Sequence, residues 1–282
     1  MQFHLSTAEV FIPDGLPPEQ ALARTTHLGV GAHPDDLELM AAAPILECFE
    51  RDDEWFTAVV LTGGGGSPRA GGYKNYSDEE MRALRLKEQR KAAILGKYGA
   101  LVMLGYSSMA IRDGANQSPV QDLALILRAA HPRQVYTHNL ADKHDTHVAA
   151  VLRVIAAIRS LPVEERPQQL FGCEAWRSLD WMLDQDKASF DLSSQADLQS
   201  ALIKVFDSQI KGGKRYDLAA MGRLRANATY HTPHAVDTAT DLAYAMDLTP
   251  LVFSPQADIG SFVQEHIQHF AQDVANRLAR LS

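Results

Sequence analysis

The chain has 282 residues and 46% hydrophobic content, enough to bury a full core as one large domain or as a domain with an extension. A formal charge of −8 argues against a nucleic-acid partner, and no window approaches the roughly 18 uninterrupted apolar residues of a membrane span. The opening "MQFHLSTAEVFIPDG" lacks the basic and apolar regions of a secretion signal, and Cys48 and Cys173 are too few for a disulfide framework, so a cytoplasmic enzyme with two core thiols is expected.

In chain order, "HLGVGA" (27–32) reads as a strand and passes into the helical run "DLELMAAAPILECFE". "WFTAVVLT" (55–62) is a second strand, ending in "GGGGSPRAGG". That glycine run has no Lys-Ser/Thr after it and no G-x-G-x-x-G spacing, so it predicts a flexible loop bordering a site rather than a phosphate cradle. A long helix follows from Ser77 to Tyr98, with Ser77 and Glu80 at capping-box spacing. "ALVMLG" (100–105) is a third strand and "SPVQDLALILRAA" (118–130) a helix; "QVYTH" (134–138), "THVAAVLRVIAAIRS" and "QLFGCE" continue the alternation. Such alternation predicts an α/β, Rossmann-like doubly wound and mostly parallel sheet. Beyond Arg177 the pattern loosens, with helices expected in "ADLQSALIKVFDSQI" and "IGSFVQEHIQHFAQDVANRLARL". Residues 1–24 are expected as an N-terminal extension, 25–176 as the catalytic core, and 177–282 as an extension packed on the sheet that completes the substrate pocket.

Two clusters carry chemistry. His33, Pro34, Asp35 and Asp36 stand just past the first strand, and "YTHNLADKHDTHVAA" past the fourth brings His138, Asp142, His144, Asp145 and His147. In the strand order 3-2-1-4-5 the first and fourth strands are neighbours at the reversal where sites gather, so the clusters should converge. His33 and Asp36, three apart at a helix start, share a face. With one further histidine they make three protein ligands and leave a position for water, the pattern of a catalytic zinc. Asp35, beside them, is placed to take a proton from that water.

These residues resemble a known family. "AHPDDLE" after a glycine-bearing strand is similar to the signature of the LmbE/PIG-L family of zinc-dependent N-deacetylases, which act on N-acetylglucosamine-type substrates, and "HDTH" (144–147) to that family's second motif. "LTGGGG", "RLKE…AAILG", "LGY" and "DSQ" follow in family order, so the resemblance spans about 25–210. It implies His33, Asp36 and His147 as zinc ligands, Asp35 as general base, and His144 as the group that protonates the leaving amine or steadies the oxyanion. It also implies Arg85 as a clamp on sugar hydroxyls. Zinc is the expected metal, with Fe2+ and Co2+ as other divalent candidates, and the substrate a small amino sugar or glycoconjugate.

Two departures from the family pattern bear on roles. Thr146 stands where the family's Asp precedes the last ligand, which leaves Asp142 and Asp145 as candidate partners of His144. Ser107 and Ser108 replace an Asp after "LGY", so hydroxyl recognition shifts, with Asp113 the candidate. Two other readings compete: a non-haem iron(II) oxygenase using H-x-D…H, and a non-catalytic sugar- or nucleotide-binding module. His266 and His269 are expected on the surface of the last helix, and a homo-oligomer remains an open option.

Overall fold

A computed structural model describes residues 1–254 and 256–282. Its strands are β1 (Glu9–Phe11), β2 (His27–Gly31), β3 (Phe56–Thr62), β4 (Ala100–Tyr106), β5 (Gln134–His138), β6 (Gln169–Cys173), β7 (Ala188–Asp191) and β8 (Leu242–Asp247). They form one sheet in the order β1-β4-β3-β2-β5-β6-β8-β7. The five inner strands pair in parallel, and counted among themselves they run third, second, first, fourth, fifth. This is the doubly wound arrangement that the alternating pattern predicts, an α/β fold with a mixed sheet. β2, β3 and almost all of β4–β6 are buried on both faces, which is why they read as continuous apolar runs rather than alternating ones. The three outer strands are antiparallel: β1 on β4, β8 on β6, and β7 on β8. The C-terminal third therefore contributes two strands to the sheet itself.

The helices are α1 (Pro18–Ala23), α2 (Asp36–Met40), α3 (Ala42–Cys48), α4 (Asp78–Leu95), α5 (Ser108–Arg112), α6 (Ser118–Ala130), α7 (Asp145–Arg159), α8 (Ala196–Lys204), α9 (Asp207–Ile210), α10 (Tyr216–Tyr230), α11 (Thr249–Phe253) and α12 (Ile259–Leu281). The single helix expected after β2 is broken at Ala41, because Pro44 has no N–H to return to Met40 and so starts a new first turn. The capping box on α4 forms: Ser77 Oγ accepts from Glu80 N at 3.2 Å, and Glu80 Oε2 accepts from Ser77 N at 2.8 Å. One face of the sheet packs Leu28, Val30, Val59 and Leu61 against α6 and α7. The other packs Phe56, Tyr98, Leu101 and Tyr136 with Leu37 and Ala92 from α2 and α4. Among the described residues no helix is long and apolar enough to cross a membrane.

This topology positions the site. β2 pairs with β3 on one side and β5 on the other, so the loops beyond β2 and β5 open onto one crevice at the point of reversal. Gly31 lets α2 fold back over the strand end; a Cβ there would lie 3.1 Å from Asp36 Cβ and 3.2 Å from Leu37 Cγ. That close approach brings Asp36 back to His33.

Candidate metal centre

Between β2 and α2 the chain passes through Asp35 with φ at +89°, in the left-handed region where a non-glycine residue is strained. The turn aims Asp36 backwards. Its Oδ2 accepts the His33 N–H at 2.7 Å and stands 3.2 Å from His33 Nδ1. From the first turn of α7, His147 brings Nε2 to 3.3 Å from His33 Nδ1 and 3.4 Å from Asp36 Oδ1. These three side chains thus form one group able to hold a metal ion. The distances run through both oxygens of Asp36, Oδ2 toward His33 and Oδ1 toward His147, and each is close to the about 3.3–3.4 Å edge of a tetrahedron with ligands at about 2.0–2.1 Å. Burial alone would raise the Asp36 pKa, but the imidazoles of His147, His138 and His33 overcome it and hold the carboxyl well below its usual range.

Supporting contacts orient the ligands. Asp142 Oδ2 lies 3.7 Å from His147 Nδ1, beyond hydrogen-bond length, while accepting the Trp176 N–H at 3.0 Å. Its Oδ1 accepts the His144 N–H at 3.0 Å. At that distance the Asp142 carboxylate faces the His147 ring without a hydrogen bond, and His147 Nδ1 is buried without a partner among the described residues. Of the two acids left open by the sequence, Asp142 is buried behind the ligand His147, and Asp145 is exposed at the start of α7. His138, which the sequence grouped with the cluster but gave no role, stacks on His147 with centroids 3.8 Å apart. Its Nε2 accepts the Ala32 N–H at 3.0 Å, and burial pushes its pKa down to about 4, so it is neutral at pH 7.

His144 caps α7 through Nδ1, which accepts the Thr146 N–H at 3.2 Å. That bond assigns the proton of the neutral ring to Nε2. Its ring stacks on His147 at 4.4 Å, and burial lowers its pKa. Asp35 is buried with Oδ1 accepting from Arg85 at 2.9 Å and Oδ2 without any partner. Burial pushes its pKa up to about 8, with Arg85 pulling the other way. Gln89 Oε1 accepts the Asp35 N–H at 3.0 Å, and Gln89 Nε2 and the Tyr98 hydroxyl both donate to Glu38 Oε1 at 2.7 Å. No sequence signal marked this brace from α4, because it links residues about fifty positions apart.

Arg85, which the sequence suggested as a hydroxyl clamp, lines the cavity but has its guanidinium engaged inward. Besides Asp35 it donates to Gly64 O at 3.1 Å and to Pro34 O. Gly64 has φ of +65°, and a Cβ on it would run into that guanidinium, which accounts for the glycine. Asp113, at the end of α5, turns its carboxylate onto Ala115 N at 3.0 Å and does not line the cavity. The cavity is about 620 Å³ and is walled by His33, Asp35, Asp36, His144 and His147 on one side and the glycine loop on the other. Trp176 and Tyr216 line it edge to face with one another, Lys214 Nζ lies 4.6 Å over the Trp176 ring, and Arg82 and Arg112 line it as well. A separate group, Asp186 with His266 and His269, lies away from this centre, with His266 partly buried.

Residues 28–158 match the family model described as PIG-L, GlcNAc-PI de-N-acetylase. No curated protein matches the sequence. Among solved structures, a conserved protein of Thermus thermophilus is 20% identical with a TM-score of 0.61, covering 82% of this chain and 98% of its own. The N,N'-diacetylchitobiose deacetylase of Pyrococcus horikoshii is 17% identical with a TM-score of 0.62, covering 82% and 86%. GalB, the 4-carboxy-2-hydroxymuconate hydratase of Pseudomonas putida, is 17% identical with a TM-score of 0.62, covering 79% and 95%. At such identities the likeness carries the fold alone, and the fold hosts more than one chemistry. Residues 28–158, which hold both His/Asp clusters, are a segment of the PIG-L (LmbE-like) family.

Proposed function

We propose that the chain is a zinc-dependent hydrolase that removes an N-acyl group, acetyl in the simplest case, from an amino sugar or glycoconjugate. The observation that carries this reading is the triangle of His33, Asp36 and His147 donors at 3.2–3.4 Å, beside a buried carboxylate oxygen of Asp35 that has no partner. His33, Asp36 and His147 would hold the metal. Bound there, a divalent cation would lower the pKa of a water toward about 7 and polarise the amide carbonyl. Iron(II) and cobalt(II) suit the same donors, and zinc is proposed because two imidazoles and a carboxylate with a position left for water are a catalytic zinc's donor set.

The chain's own groups then move the protons. Asp35 Oδ2 accepts one from the attacking water while Arg85 holds Oδ1; without a metal the carboxyl's pKa is pushed up to about 8, and a divalent cation beside it would bring it to the ionised form this step needs. His144, with its proton on Nε2, donates to the oxygen where negative charge develops as the C–O bond forms. Breakage of the C–N bond requires a proton on the departing nitrogen, which His144 or the protonated Asp35 supplies. The products are a carboxylic acid and a free amine. A cavity of about 620 Å³ admits a sugar-sized amide, and Arg82, Arg112 and Lys214 favour a substrate with a negative group.

The test is a panel of N-acylated amino sugars, neutral and anionic, incubated with chelated and zinc-reloaded protein and scored for amine and acid in equal amounts. Zinc-dependent release of both is the expected result. No amine or acid release from any member of the panel by the zinc-reloaded protein would overturn the proposal.

A further inference from the structure

A second set of metal-type donors lies where the last helix meets the body. Asp186 closes the short 3-10 turn Asp184–Asp186 that leads into β7, and His266 and His269 stand on α12. Three positions apart on a helix, the two rings share one side. Both offer Nδ1 to the same oxygen: His269 Nδ1 stands 2.8 Å from Asp186 Oδ2, and His266 Nδ1 stands 3.9 Å from it. One donor atom from each of the three lies within 4.8 Å of the other two. The side chains of His266 and Asp186 are each only 16% exposed, so they converge at a packed junction. None of the three residues lines the catalytic cavity.

An ordinary hydrogen-bonded pair accounts for only part of this. His269 and Asp186 satisfy each other at 2.8 Å. His266 Nδ1 is sealed from solvent, has no hydrogen-bond partner among the described residues, and is too far from Oδ2 to share that bond. A buried ring nitrogen left this way is destabilising unless something binds it. Lys187, next in the chain, is turned away from Asp186. Its Nζ donates to Asp184 Oδ1 at 2.9 Å and to Met182 O at 3.2 Å, and sits 4.3 Å over the Tyr244 ring. One cation held by all three side chains would both occupy the His266 nitrogen and balance the Asp186 charge. Donors held at about 2.0–2.1 Å by a single ion lie at most about 4.2 Å apart. The two distances to Asp186 fall inside that limit, and the one between the rings, at most 4.8 Å, closes with a small turn of either ring. Two imidazoles and one carboxylate suit a divalent transition metal rather than calcium or magnesium, which take oxygen.

We propose that Asp186, His266 and His269 bind one divalent transition-metal ion, separate from the proposed catalytic metal. Ile259, Phe262 and Val263 already pack the first turn of α12 on the core, and the ion adds a fixed attachment one turn further on. It ties the helix to the segment after β6 that also carries Trp176, a wall residue of the cavity.

Equilibrium dialysis of the chelator-stripped chain against zinc chloride, with bound metal counted by atomic emission, tests this. Wild type is compared with the paired variant His266→Gln/His269→Gln, and both are repeated with His147→Ala to silence the catalytic centre. In each background the paired substitution should remove about one zinc per chain and leave far-UV circular dichroism unchanged. In His147→Ala, zinc at about a hundredfold over its Kd should raise Tm by roughly 4–5 °C, and the paired substitution should abolish that shift. His269→Gln alone, at the more exposed position, should weaken zinc binding in His147→Ala by about tenfold or more. Equal zinc content with and without the two histidines would overturn the inference, whatever the catalytic centre binds. So would a zinc-dependent Tm shift in His147→Ala that survives the loss of both. Should the paired variant lose its fold, undiminished zinc affinity in His269→Gln decides against the site in its place.

Discussion

Arg85→Ala distinguishes a brace on Asp35, the proposed general base, from a clamp on substrate. The side chain is 3% exposed and gives hydrogen bonds to Asp35 Oδ1, Gly64 O and Pro34 O. Its removal leaves a carboxyl and two carbonyls without a donor in a dry wall. With its pKa near 8, Asp35 is already largely neutral without metal, so the loss is that of buried acceptors left without a donor, about 1–3 kcal/mol each and about 3 kcal/mol in all at the low end. Unfolding entropy near 2.1 cal/mol/K per residue gives a chain of this length roughly 0.6 kcal/mol per degree, so Tm should fall by about 5 °C. The freed carboxylate also loses its aim, so kcat should drop. Asp35→Asn retains an oxygen for Arg85, so its Tm should stay within about 2 °C of wild type while kcat falls by roughly 10²–10⁴. Combined, the two substitutions should cost less stability than their sum. Thermal melts in chelator and steady-state kinetics with zinc measure both quantities. An Arg85→Ala variant with unchanged Tm and kcat but raised KM would refute the brace and restore the hydroxyl clamp.

Further outcomes follow from other contacts. Asp142→Asn should weaken metal affinity about 10–100-fold by loosening His147, measured by competition with a chelating dye; unchanged affinity would remove Asp142 from that role. Gly31→Val should displace Asp36 and lower metal content with the fold retained, because even a Cβ would stand 3.1 Å from Asp36 Cβ. His27, buried at the opposite end of β2, has its pKa lowered by burial, with Glu47 and Glu54 opposing. The folded chain then holds fewer protons than the unfolded one below about pH 6.5, so this contribution to stability is present above that pH and lost as pH falls. Melting temperatures of His27→Gln should therefore decline less steeply than wild type between about pH 6.5 and 5; parallel curves would contradict this.

What could be read in advance depended on the range of the interaction. The parallel strands were legible because strands such as β3 are buried throughout and so write unbroken apolar runs. β1 was not, since three half-buried residues carry no period, and β8 and β7 form only once β6 offers an edge. α10 was missed because the exposed Leu218 and Tyr230 blur the apolar face that Met221, Leu224 and Ala228 bury. Within the centre, the convergence of the two clusters was legible from strand order. The surroundings of His144 were not: of the two candidate partners, Asp142 meets only its backbone N–H and turns its other oxygen to Trp176 N after β6. Arg85 was marked by its motif, yet its inward bonds to Pro34 and Gly64 depend on how the glycine loop closes.

In the proposed mechanism adjacent, chemically identical carboxylates do different work: Asp36 would bind metal and Asp35 carry protons. Metal content and N-acyl hydrolysis should be measured on the same samples of wild type, Asp35→Asn and Asp36→Asn, stripped with chelator and then titrated with zinc. Asp36 stands 3.2–3.4 Å from both ligand histidines, whereas Asp35 is turned toward Arg85. Asp35→Asn should thus bind about one zinc and stay slow at every concentration, while Asp36→Asn should bind weakly and regain activity with excess zinc. Rescue of Asp35→Asn by zinc, with none for Asp36→Asn, would contradict the account and reverse the two roles.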